Sequence, residues 1–173
     1  MERRSLPTTY QHDGKRLVGY AAVWNAPTTI REAGRTFVEI VRKGAFSRAL
    51  RQTPDILCCF NHDMNRLLGR TASGTLTVSE DDHGLKFEVL LPDTDTGNEV
   101  RELASRGDLS GASFAFTVRK DNWADGTREL QDVDLFECGP VVTPAYPTTT
   151  VGVRSKTNAY YKAKLRLLEL QNL

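Results

Sequence analysis

Ser113 and His62 are the residues of this chain whose types could carry nucleophilic chemistry. A serine hydroxyl is a poor nucleophile near neutral pH, so it needs a base within hydrogen-bond reach and a third group to orient that base. Three histidines are available as bases. His12, in Gln11-His12-Asp13-Gly14, and His83, in Glu80-Asp81-Asp82-His83-Gly84, fall in stretches of turn composition. His62 instead follows the apolar run Ile56 to Phe60, where a fixed backbone can hold an imidazole over a neighbouring strand. An imidazole titrates near neutrality and so can take up a proton at cellular pH. The bland alternatives are a strand-end histidine capping local backbone and a strand serine facing solvent.

The surroundings of Ser113 favour the chemical reading. From Leu109 to Arg119 the sequence alternates with period two, Ala112, Phe114, Phe116 and Val118 on one face and Gly111, Ser113, Ala115 and Thr117 on the other. The apolar face belongs to the core, which puts Ser113 on the opposite side. Gly111 and Ala115 leave that side nearly bare, so a substrate backbone can approach closely. Gly111-Ala112-Ser113-Phe114-Ala115 nearly spells the G-x-S-x-G nucleophile elbow. That elbow needs a strand, a sharp turn and a helix, whereas here a strand continues through Thr117 and Val118, so an α/β-hydrolase is excluded on context.

The elements that must position these groups read mainly as short strands. Arg16 to Trp24 and Arg35 to Val41 look like the first two, separated by Asn25-Ala26-Pro27 and Glu32-Ala33-Gly34. A short helix is expected within Lys43 to Gln52, stopped by Pro54, and an apolar strand over Ile56 to Asn61. Thr75 to Ser79 and Leu85 to Leu91 flank a hairpin turn ending in Gly84, a glycine able to take positive φ. Val100, Leu103 and Ala104 mark a helix over Asn98 to Arg106, with Thr96 as its cap and Gly107 at C′. Asp121 to Gly126 reads as a turn and Thr127 to Cys138 as a strand. Gly139 to Thr150 carries Pro140, Pro144 and Pro147 and must be irregular or extended. After Ser155, Tyr161, Leu165 and Leu168 share a helical face among Lys162, Lys164 and Arg166, an amphipathic helix that packs on the domain or meets a second subunit or another partner. The expected division is a domain over 1–155 and a helical extension over 156–173.

Composition limits the field without naming a partner. At 173 residues one domain suffices, and folding at that size buries roughly two thirds of the chain's surface. A net charge of +1 provides no overall field for nucleic acid or an anionic membrane. The basic residues after Arg154 leave contact with nucleic acid as a weak further option. The stretch Ile56 to Phe60 is far too short to span a membrane, and the polar start Met1 to Thr9 lacks a signal-peptide core, so an intracellular protein is expected. Cys58, Cys59 and Cys138 are an odd set with two adjacent members and no CxxC pair, which reads as buried thiols and not as a disulfide framework or a metal site.

Four stretches, in order, carry a resemblance: Phe60-Asn61-His62-Asp63, then Arg66-Leu67-Leu68-Gly69-Arg70-Thr71, then Gly107-Asp108-Leu109-Ser110-Gly111-Ala112-Ser113-Phe114-Ala115-Phe116, then Pro144-Ala145-Tyr146-Pro147. With Gly19-Tyr20-Ala21-Ala22-Val23-Trp24 and Lys43-Gly44-Ala45-Phe46, the set resembles the tailed-phage prohead (capsid maturation) serine proteases over about Gly19 to Arg154. The resemblance implies a mainly β, α+β fold with flanking helices, a compact β-barrel like that of the herpesvirus assemblins, plus the C-terminal amphipathic helix. It also implies an endopeptidase inside the immature capsid in the host cytoplasm, or one encoded by a prophage. Such an enzyme cuts major capsid protein or scaffold, often cuts itself, works as a homo-oligomer, and needs no cofactor, metal, membrane or specific nucleic acid.

Carried over by motif, the family's nucleophile falls on Ser113 and its histidine on His62. Glu137, in Leu135-Phe136-Glu137, occupies the acidic position, with Asp134 and Asp63 as rivals. Arg70 and Arg119 are candidate oxyanion partners or plain ion-pair residues. Ala115 stands where the family usually has glycine, and Gly139 where serine is common. The competing readings are an inactive capsid-assembly or scaffolding module of the same fold and a small-molecule esterase using the same pair.

Overall fold

Alternation of apolar and polar residues dominates the chain, and the computed structural model, which describes residues 1–52 and 54–142, is accordingly built on strands. The described strands are β1 (Glu2–Pro7), β2 (Gln11–His12), β3 (Arg16–Val23), β4 (Thr28–Glu32), β5 (Arg35–Val41), β6 (Leu57–Cys59), β7 (Leu67–Arg70), β8 (Leu76–Glu80), β9 (Gly84–Leu90), β10 (Gly111–Ala124) and β11 (Thr127–Val141). Helices α1 (Ser47–Arg51) and α2 (Asp95–Ser105) lie between them.

One sheet runs β1-β10-β11-β5-β4, with β6 on β11 and β7 on β6, and the other runs β2-β3-β9-β8. No strand of one pairs with a strand of the other among the described residues, so these are two packed open sheets and not the closed barrel the resemblance implied. The side chains between them make the core: Leu17, Leu85, Phe87 and Val89 from the small sheet meet Phe114, Phe116, Leu130 and Val133 from the large one. Each such side chain, fully buried, stabilises the fold by about 1.5–3 kcal/mol.

β10 and β11 are the spine. They are joined by Asp125-Gly126, both at positive φ (49° and 73°), the two-residue turn whose twist matches its flanking strands. The turn is therefore shorter than the expected Asp121 to Gly126, and β10 runs on to Ala124. β11 likewise continues through Gly139 and Pro140 to Val141, the extended form of the expected proline-containing segment. The hairpin of β8 and β9 forms as expected, but Gly84 is not at positive φ; a Cβ there would lie 2.0 Å from the Ala22 carbonyl oxygen, so close approach requires it.

α2 is capped by Thr94, whose hydroxyl accepts from the Gly97 N–H, and not by Thr96; Gly107 follows at C′ with φ 74°. Four strands were not foreseen: the N-terminal β1, the short β2, β4 and β7. β1 begins Glu2-Arg3-Arg4, charges that read locally as solvated, yet Arg4 is buried because Glu2, Glu32 and Glu39 surround its guanidinium. No described helix is long and apolar enough to cross a membrane. The expected C-terminal helix, the 156–173 extension and the Pro144 to Pro147 motif lie outside the described residues.

Candidate active site

β6 places the histidine. It joins β11 in parallel with Leu57 beside Glu137, so its continuation runs along β11 toward Gly139. Gly139 admits that approach, since a Cβ there would stand 2.7 Å from the Cys59 carbonyl oxygen and 3.2 Å from Cys58 Sγ. The expected strand over Ile56 to Asn61 stops at Cys59 and tightens into a 3₁₀ turn over Phe60–His62. Phe60 is buried, with Arg66 stacked 4.3 Å from its ring centroid, and its N–H donates to the Arg66 carbonyl. Asn61 and His62 both take left-handed backbone (φ 54° and 60°). Such conformations are unfavourable for residues with a Cβ and gather at functional sites.

The turn brings His62 Nδ1 within 3.0 and 3.1 Å of the two Glu137 carboxylate oxygens. A carboxylate accepts hydrogen bonds, so Nδ1 carries the proton and Nε2 is left as an acceptor. The carboxylate side chain is 4% exposed and the imidazole 17%, a pair screened from water but open on one side. Glu137 and Leu57 border a cleft of about 360 Å³ that Met64, Phe136, Arg3 and Arg70 also shape. A second cleft of about 380 Å³, between Leu50, Ile56, Thr71 and Val78, contains no serine or histidine.

Ser113 lies in register with Gly139 on β11 and Ser5 on β1, and Ala115, two residues on, pairs with Glu137. Directly paired residues and their i+2 neighbours share a sheet face, so Ser113 and Glu137 point to the same side. That side is not bare solvent: Ser113 is fully buried, and its hydroxyl donates to the Arg4 carbonyl at 2.8 Å. Among the described residues no hydrogen bond joins Ser113 to His62. Nothing in the sequence announced Arg4 as the hydroxyl's partner, because β1 itself carries no local strand signal.

The rivals are engaged elsewhere. Asp134 binds Arg48 and Arg119, whose guanidinium groups hold its carboxyl below the usual carboxylate range. Asp63 accepts from the Asn65 N–H inside the turn. Arg70 pairs with Asp55, and Arg119 with Asp134, which accounts for both arginines as ion-pair residues. The three cysteines are free and buried. Burial pushes the Cys58 and Cys138 thiols well up and the Cys59 thiol to about 11, so all three are neutral and unreactive near pH 7. Among the described residues no three His, Cys, Asp or Glu side chains gather as metal ligands do.

No functionally curated protein matches the chain. The capsid assembly protease of bacteriophage T4 superposes with a TM-score of 0.43 at 11% identity, covering 83% of this chain and 100% of that one. The family model for the caudovirus prohead serine proteases matches residues 3–164, a span that includes most of β1, the His62 turn, β10 and β11. Because that match takes in most of the chain, the protein belongs to the caudovirus prohead serine protease family.

Proposed function

We propose that this chain is a serine endopeptidase that processes capsid or scaffold protein, and trims itself, during prohead maturation. Ser113 is the nucleophile, His62 the general base and Glu137 its orienting acid. The observation that carries this reading is the bond from His62 Nδ1 to Glu137, on the sheet face that also bears Ser113. With Nδ1–H held by the carboxylate, Nε2 accepts the Ser113 proton as the hydroxyl attacks the scissile carbonyl. The protonated ring then gives that proton to the leaving amine, and water releases the acyl-enzyme. Glu137 stabilises the transient imidazolium. For the first step the hydroxyl exchanges the Arg4 carbonyl for Nε2, which requires a rotation about χ1.

The protease acts inside the immature capsid, and self-association there raises its local concentration around the substrate. The second reading, an inactive assembly module, draws on one observation: the hydroxyl is buried and committed to the Arg4 carbonyl. Co-expression with the major capsid protein separates the two. Wild type yields a shortened capsid protein by intact-mass spectrometry, and Ser113→Ala and His62→Ala leave it full length. Equal processing in all three, or none in wild type, removes the protease reading. Turnover of simple esters without protein cleavage would replace it with an esterase.

A further inference from the structure

Two motif residues have no part in the proton transfers: Asn61, directly before His62, and Ser110, directly before β10. Both bind Val142, the first residue past β11. The Val142 N–H donates to Asn61 Oδ1 at 2.9 Å, and the Ser110 hydroxyl donates to the Val142 carbonyl at 3.0 Å. One residue at the end of the spine thus ties the histidine turn, on one side, to the start of the nucleophile strand, on the other. β10 is also tied to β1 at this point, since the Thr8 N–H donates to the Ser110 carbonyl at 3.0 Å.

The turn needs such an anchor. Its strand pairing stops at Leu57 beside Glu137 on β11 and at Cys59 beside Leu67 on β7, and beyond it Asn61 and His62 itself are both left-handed. Asparagine tolerates left-handed backbone better than other residues with a Cβ, and its side-chain oxygen can bind backbone a strand away. We infer that Asn61 and Ser110 are positioning residues, which set the distance between the His62 imidazole and the Ser113 hydroxyl through the Val142 peptide groups. This inference rests on the catalytic reading above.

A fluorophosphonate probe tests it without a known substrate. The reaction forms the Ser113 Oγ–P bond, expels fluoride and passes the hydroxyl proton to His62. Asn61→Gly keeps the left-handed turn but removes the acceptor, and lowers the maximal inactivation rate about tenfold to a hundredfold, the cost of a misplacement on the order of 1 Å, with probe affinity within about twofold. Asn61→Asp keeps an acceptor and restores most of the rate. Ser110→Ala slows the rate less, Ser110→Thr restores it, and adding Ser110→Ala to Asn61→Gly costs little more, because both act through one residue. A wild-type rate in Asn61→Gly, or an Asn61→Asp variant as slow as Asn61→Gly, overturns the inference. Labelling of wild type but not of Ser113→Ala upholds the protease reading separately. Should wild type not label, that reading falls, and the His62 ring resonances decide the positioning role: they move in Asn61→Gly if the anchor holds the turn, and stay in place if it does not.

Discussion

The large sheet buries two glutamates, and it satisfies them in different ways. Glu39, on β5, sits between Arg4 (Nε at 2.6 Å) and Arg128 (Nη1 at 3.2 Å), and Glu2 bridges the same two guanidinium groups. Every partner there is permanently charged, and the neighbouring carboxylates raise the pKa of Arg128 and Arg4 further against the opposing effect of burial. Glu137, on β11, has among the described residues one side-chain partner, His62, whose charge depends on a proton. An ion network whose cations are all arginines ties β1 to β5, whereas a carboxylate bound to one titratable ring can respond to proton transfer. The contrast separates a buried carboxylate that fixes register from one that can support chemistry.

The largest effects fall on the responsive side. Ser113→Ala lowers cleavage of the capsid protein by about a thousandfold or more, while unfolding in urea shifts by only about 1 kcal/mol for the lost bond to the Arg4 carbonyl. Cleavage at the wild-type rate would break the comparison at its root. Glu137→Gln keeps the shape but weakens the hold on His62, and turnover drops by about a hundredfold to ten-thousandfold with stability nearly kept. Glu39→Ala inverts that pattern: it leaves two buried guanidinium groups short of a partner and costs about 3 kcal/mol in urea unfolding. Folded Glu39→Ala protein keeps turnover within about threefold at a temperature where it is fully native. If the two glutamates behave alike in both assays, they do not differ in role.

Gly139→Ala sharpens the comparison by touching the support of the pair and neither partner. Its Cβ pushes on the Cys59 carbonyl oxygen, which leads into the His62 turn. The expected cost is about 1–3 kcal/mol from overpacking, with a turnover loss larger than stability explains. The gentlest test is alkaline pH. The buried thiols of Cys58, Cys59 and Cys138 have raised folded-state pKa values, so their contribution is complete below the unfolded value of about 8.5 and is lost as pH rises through the folded one. Each thiol lowers stability by about 1.4 kcal/mol per pH unit in that window, read from urea curves between pH 8 and 10.5. Cys138→Ala flattens the slope by one thiol's share, and an unchanged slope would refute the assignment.

Periodicity made much of the spine legible. The alternation from Leu109 to Arg119 put Phe114 and Phe116 in the core and Ser113 opposite, and the structure agrees. Full burial of Ser113 was not legible, because the cover comes from other strands. β1 was missed for a related reason: Arg4 is compatible with a buried strand only when Glu39, 35 residues away, is beside it. The helix cap is Thr94 and not Thr96: two threonines offer the same chemistry, and it is the Thr94 hydroxyl that accepts from the Gly97 N–H. Sequence reading favoured Glu137 over Asp134 and Asp63 as the third catalytic group, and the parallel pairing of β6 with β11 brings Glu137 to His62.

The sequence by itself determined which residues face the core along β10, that the chain reverses by Gly126, and which hydroxyl and imidazole were worth pairing. These are local properties, written in side-chain period and backbone preference. Only the tertiary structure decided that two open sheets replace a barrel, that an N-terminal strand covers the serine, and that Glu137 meets His62. Those outcomes depend on pairings between distant segments, where a charge or a glycine takes its meaning from a partner far along the chain.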